Sequence, residues 1–184
     1  MKKGIIALVA VLLVVLAGGF YFFMTHRNNN DKEVKSENAE INAILDLNLE
    51  KNYPDTAVDV VETYNRITKV FYNLEYTEEE ETALLNEMRI LMDDELLENN
   101  PLVEHTENLN QNVAEFKNAQ KSISSYNVDT TVKEKEVDGT TFSKISVTYT
   151  IKNNDKNKGT TSSDFLLRQD KDCRWKIYGY TKIK

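Results

Sequence analysis

The sequence predicts an α+β domain carried behind an amino-terminal transmembrane helix. Three observations carry that prediction: an uncharged run near the start, apolar residues at helical spacing through the middle, and strict alternation in the last third. The expected fold is about four helices packed on a four-stranded antiparallel meander, helices first and strands after.

Gly4 to Met24 is the uncharged run, 21 residues long. At 1.5 Å per residue it spans about 31 Å, close to the hydrocarbon core of a bilayer. Phe20, Tyr21, Phe22 and Phe23 gather at one end, where aromatic rings favour the interface, and Lys2 and Lys3 sit at the other. The positive-inside rule then leaves the amino terminus in the cytoplasm and the rest outside the cell. A cleaved signal peptide is the competing reading, resting on the small residues Ala17, Gly18 and Gly19. The run is longer than such peptides usually carry and continues through four aromatics, so an uncleaved signal-anchor is expected. Residues 1–27 are thus the cytoplasmic tip and anchor, 28–38 a polar linker, and 39–184 a single extracellular domain.

In the first helical segment Ile41, Ile44, Leu45 and Leu49 share a face, and Asn52-Tyr53-Pro54 ends it. The second opens at Thr56 with Asp59 three residues on, and its stripe runs Val60, Val61, Tyr64, Ile67, Phe71 and Leu74. The third opens at Thr77 ahead of four glutamates, where the helix dipole favours acids, and its face is Leu84, Met88, Leu91, Met92 and Leu96. Pro101 opens the fourth, which shows Leu102, Leu109, Val113, Phe116 and Ile123.

After Ser122 the period falls to two. Tyr126, Val128, Thr130 and Val132 alternate, and Asp138-Gly139 supplies a hairpin turn. Ile145, Val147, Tyr149 and Ile151 alternate on the next strand. A third strand holds Phe165 and Leu167, and a fourth holds Trp175, Ile177, Tyr178 and Tyr180 beyond an acidic turn.

Charge excludes one class of function. The chain carries a net charge of −7. Residues 28–121 hold 8 basic and 22 acidic side chains, whereas residues 122–184 hold 12 and 8. Nucleic-acid binding needs a concentrated basic face, so no nucleic-acid partner is expected. The opposite charges of the halves do allow head-to-tail homo-oligomers.

No metal or other cofactor is expected. Cys173 is the only cysteine, and the two histidines, His26 and His105, form no ligand spacing. Glu78 to Glu81 read as a solvated helix start rather than a calcium loop. No catalytic set stands out either. Tyr64, His105 and Tyr149 are the candidates to line a pocket between helices and sheet, because they fall on or beside apolar faces.

Residues 164–179, an apolar strand, an acidic turn and then Trp-Lys-Ile, resemble the last hairpin of the nuclear-transport-factor-like, or cystatin-like, cone fold. The order of helices before a meander is similar too, although the commonest cone has an early strand that this sequence lacks. Lys51-Asn52-Tyr53-Pro54, Asp93-Asp94-Glu95-Leu96-Leu97 and Ile123-Ser124-Ser125-Tyr126 resemble an uncharacterised family of membrane-anchored proteins from Gram-positive anaerobes. That resemblance implies a cone but no activity, since the fold hosts enzymes, binding modules and scaffolds alike. The expected function is a membrane-anchored extracellular binding or protein-interaction module, with a cell-envelope component or protein as partner. A scaffold subunit of a secretion, conjugation or sporulation complex is the alternative, and a cone-fold enzyme comes third.

Overall fold

The computed structural model describes residues 38–153 and 157–181. The expected anchor at 4–24, its cleavage, residues 28–37 of the expected linker and His26 lie outside the described residues. Among the described residues no helix is long and apolar enough to cross a membrane.

Five helices come first, α1 (Ala39–Leu45), α2 (Ala57–Asn73), α3 (Glu78–Ile90), α4 (Asp94–Glu98) and α5 (Leu102–Asn118). Five strands follow, β1 (Lys121–Val128), β2 (Lys133–Val137), β3 (Thr140–Asn153), β4 (Asn157–Gln169) and β5 (Trp175–Tyr180). The α+β class therefore holds, with every strand pair antiparallel.

Helix starts follow local chemistry. Asn38 caps α1 by accepting from the Glu40 amide at 2.9 Å, and Thr56 caps α2 by accepting from the Asp59 amide at 3.1 Å. Thr77 and Glu80 close a reciprocal capping box on α3, each side chain accepting from the other's backbone N–H. The predicted stripe of α2 is buried from Ala57 to Phe71.

Four elements differ from the expected pattern. The first helix stops at Leu45, and Leu49 is buried from the turn that follows, where its N–H donates to the Glu87 carboxylate at 3.0 Å. The third helix is really two. The first ends at Leu91, a C-cap still in the αR region, after which the Leu91 carbonyl accepts from the Ile177 N–H at 2.9 Å and the Asp93 N–H donates to the Ile177 carbonyl at 2.9 Å. This single parallel bridge between Met92 and Ile177 occupies the free edge of β5. A sheet edge supplied backbone partners that another helical turn would have supplied, and periodicity cannot register that competition.

Ile123, read as helical, lies on β1, because the helix ends near Asn118 and Gln120 turns the chain with φ 52°. The first predicted strand is also two strands. The Asp129 carboxylate accepts from the Thr131 N–H at 2.8 Å, an Asx turn that interrupts pairing. Thr130 and Val132, expected to face inward, are exposed. β1 and β2 then lie end to end along β3, β1 against residues 147–153 and β2 against residues 140–144. The sheet order is β1-β3-β4-β5 with β2 paired only to β3.

The inner face of the sheet buries Ile145, Val147, Tyr149, Phe165, Leu167, Trp175 and Ile177, while Lys144, Thr148 and Leu166 alternate outward. α2 lies against this face. Its last residue, Asn73, accepts from the Ile123 N–H at 2.9 Å and donates to the Ile123 carbonyl at 2.8 Å, so one amide side chain mimics a strand partner. Register shifts at Ser124 and between Leu166 and Leu167 mark bulges, which increase strand bend and twist.

Candidate functional site

A cavity of about 180 Å³ opens between the inner face of the sheet, α2 and the first half of α5. All three sequence candidates, Tyr64, His105 and Tyr149, line it. The helical period puts Tyr64, Thr68 and Tyr72 on one side of α2, and β-alternation puts Ser163 and Phe165 beside Tyr149 on the sheet. His105, Asn108, Leu109 and Asn112 recur at helical spacing on α5 and form the opposite wall.

Burial separates a floor from a rim. Tyr64, Tyr149, Phe165, Met88, Thr68 and Ser163 are buried, whereas Asn108, Asn112, Tyr180 and Thr181 are exposed. The floor is largely aromatic. The Tyr64 and Phe165 rings meet edge to face with centroids 5.5 Å apart, and Phe165 stacks on Tyr180 at 5.5 Å.

Three hydroxyl hydrogens in the floor are committed to acceptors within the protein. Tyr149 donates to the Asn65 side-chain carbonyl, and Asn65 in turn donates to the Val61 carbonyl at 2.7 Å. Thr68 donates to the Tyr64 carbonyl at 2.9 Å, and Ser163 donates to the Thr181 carbonyl. Burial raises the pKa of Tyr64, Tyr149 and Tyr72, with neighbouring tyrosine hydroxyls adding to the effect, so all three stay protonated at neutral pH.

His105 is held by the helix below it. The Arg89 Nη1 lies 3.0 Å from its Nδ1 and donates also to the Asn100 carbonyl at 2.8 Å. A guanidinium only donates, so Nδ1 accepts and the ring proton resides on Nε2. Burial first, and the Arg89 charge second, hold the His105 pKa below the ordinary histidine value. His105 is therefore a neutral imidazole near pH 7.

No Asp, Glu, Lys or Arg is among the lining residues. The cavity thus offers rings, hydroxyl oxygens, amides and one neutral imidazole. Such a set binds and orients, and it lacks a charged group to drive proton transfer or to stabilise developing charge.

Elsewhere, charged groups are tied into structure. Arg168 grips the buried Asp93 carboxylate through two hydrogen bonds, of 2.8 and 2.6 Å, and its guanidinium stacks over Tyr178. Lys176 donates to the Ile90 carbonyl at 2.6 Å. The four glutamates at 78–81 begin α3, with no metal-binding group of His, Cys, Asp or Glu among the described residues. Cys173 is exposed in the β4–β5 turn with φ 60°.

The wall on α5 was the part sequence reasoning missed, beyond His105. Its signal was present: Leu109 and Asn112 follow His105 at intervals of four and seven, a half-polar stripe where a packing helix would be apolar. A family model described as a domain of unknown function, DUF6715, matches residues 1–180. No curated protein and no solved structure matches the chain.

Proposed function

The chain belongs to the DUF6715 family, whose description assigns no activity, and we propose that it is a non-catalytic binding module, held at the outer face of the cell membrane by residues 4–24. The observation that carries this reading is the cavity beneath α5, formed and partly open yet free of charged side chains. The same arrangement, helices followed by a bulged antiparallel sheet with a pocket between them, supports a cystatin-like cone as the fold. Catalysis would ask for a converging acid, base or nucleophile, and the imidazole of His105 has its Nδ1 occupied by Arg89.

Methyl-labelled methionine NMR on the full chain tests the binding reading, because Met88 lines the cavity and Met92, also buried, does not. A screen of small uncharged fragments should move the Met88 methyl and leave Met92 in place, with the fragments recovered unchanged. Silence at Met88 across the screen would remove the reading. An intact mass from membranes tests the anchor, since a protein lacking roughly its first 20 residues would be a cleaved one.

The scaffold alternative draws on a different observation. At the start of α5, Val103 is 69% exposed and Leu102 39% exposed, an apolar pair outside the cavity. A protein partner covering that end should be lost on Val103→Asp while Met88 still reports fragment binding.

A further inference from the structure

Resting on the binding reading above, we infer that the cavity selects an uncharged, one-ring or indole-sized aromatic compound that donates a hydrogen bond from its own N–H or O–H.

Size sets the first limit. An apolar cavity of about 150 Å³ holds benzene, so 180 Å³ leaves room for one ring with a small substituent or a compact fused pair. Charge sets the second. With no ionised side chain in the lining, a carboxylate or ammonium would enter without a counter-charge and would lose its hydration uncompensated. The aromatic rings set the third, since Tyr64 and Phe165 in the floor and Tyr180 at the rim already meet edge to face and stacked, the geometries a further ring would extend.

Donor preference follows from the committed hydrogens. A hydroxyl has one hydrogen to give and two lone pairs to accept with. Tyr149 gives its hydrogen to Asn65, Thr68 to the Tyr64 carbonyl and Ser163 to the Thr181 carbonyl. What these oxygens still offer to a guest is lone pairs. Facing these three oxygens, a ligand bringing only acceptors would bury them against acceptors, whereas an N–H or O–H satisfies itself and the wall together. Donors for the guest's other edge are the Tyr64 and Tyr72 hydroxyls, the His105 Nε2 and the Asn108 amide.

Indole and benzofuran have nearly the same shape, and only indole donates. Both are titrated into the full chain, with benzoate as a charged control, reading the Met88 methyl against Met92. Indole should bind about fivefold to tenfold more tightly than benzofuran, the yield of one ligand hydrogen bond, and benzoate should leave Met88 unmoved. Leu109→Trp, on the half-buried wall, should fill the space and abolish the Met88 response while the melting transition persists. Tyr149→Phe should narrow the preference for indole. Benzofuran binding as tightly as indole, or benzoate moving Met88, overturns the ligand class while the module reading stands. No response from any of the three, in wild type as in Leu109→Trp, overturns both.

Discussion

Helices α2 and α5 are the same length, 17 residues each, and are built for opposite purposes. Nine residues of α2 are buried and only Val113 of α5 is. Both line the cavity on the inner side of the sheet, so position does not explain the contrast. Side-chain supply does. α2 turns Val60, Val61, Ile67, Val70 and Phe71 toward the core, where large side chains interlock. α5 turns His105, Asn108, Leu109 and Asn112 toward the same layer, and of these only Leu109 packs on the core, too little apolar volume to fill the space. The shortfall is the cavity. One helix holds the fold together and the other stands off it as a wall.

The sharpest way to break this contrast is to truncate one residue on each helix. Phe71 is fully buried, so Phe71→Ala should cost about 3–5 kcal/mol in urea unfolding. Leu109 is only half-buried beside empty space, and Leu109→Ala should cost less than about 1 kcal/mol. Equal costs would mean that α5 packs as core and the comparison fails.

A second pair of substitutions compares amides. Asn65 on α2 is buried between the Tyr149 hydroxyl and the Val61 carbonyl. Asn65→Ala leaves that hydroxyl without its acceptor and should cost roughly 1–3 kcal/mol. Asn112 on α5 is exposed and bonded only to its own helix, at the Asn108 carbonyl. Asn112→Ala should therefore stay within about 0.5 kcal/mol of wild type.

The same contrast explains what was legible in the sequence. α2 was readable from Thr56 to Phe71 because its cap and its stripe report one physical cause, burial of a single face. Tyr64, His105 and Tyr149 were found because each sits where an apolar pattern meets a polar group. Residues 91–98 were not readable as two pieces, since the edge of β5 competes for their backbone through the bridge of Met92 to Ile177, a sequence separation beyond any local signal. The break at Asp129 was hidden for the opposite reason. Its cause, an Asx turn, is local, yet alternation continued across it through Thr130 and Val132. The α5 wall was underread because a half-polar helix face looks like solvent until the space beneath it is known.

Acid should act on α5 before α2. The His105 pKa is lowered by burial and then by Arg89, so the folded state resists the proton that the unfolded chain accepts near the ordinary histidine value of about 6.5. The sign follows from linkage. Where the unfolded state binds more protons, stability rises with pH, so this contribution is complete above the unfolded value and is lost as pH falls below it. The unfolding midpoint should decline from pH 7 toward pH 5, and His105→Gln should flatten the decline. Amide exchange at pH 5.5 should speed up along the first half of α5 more than along α2. An unchanged profile in His105→Gln would assign the pH response to another group.

The smallest effect belongs to the outer end of α5. Val103 is 69% exposed at the second position of the helix, where a side chain leaves little apolar surface behind on folding. Val103→Asp should shift stability by less than about 0.5 kcal/mol, aided by the favourable placement of an acid in the first turn. If it costs more than about 1 kcal/mol, that end of the helix is packed against something, and α5 is a held element rather than a wall. The near-zero result has consequences as well. It leaves Val103 as an apolar residue that contributes nothing to folding, so any effect of the same substitution on partner capture reports the partner alone.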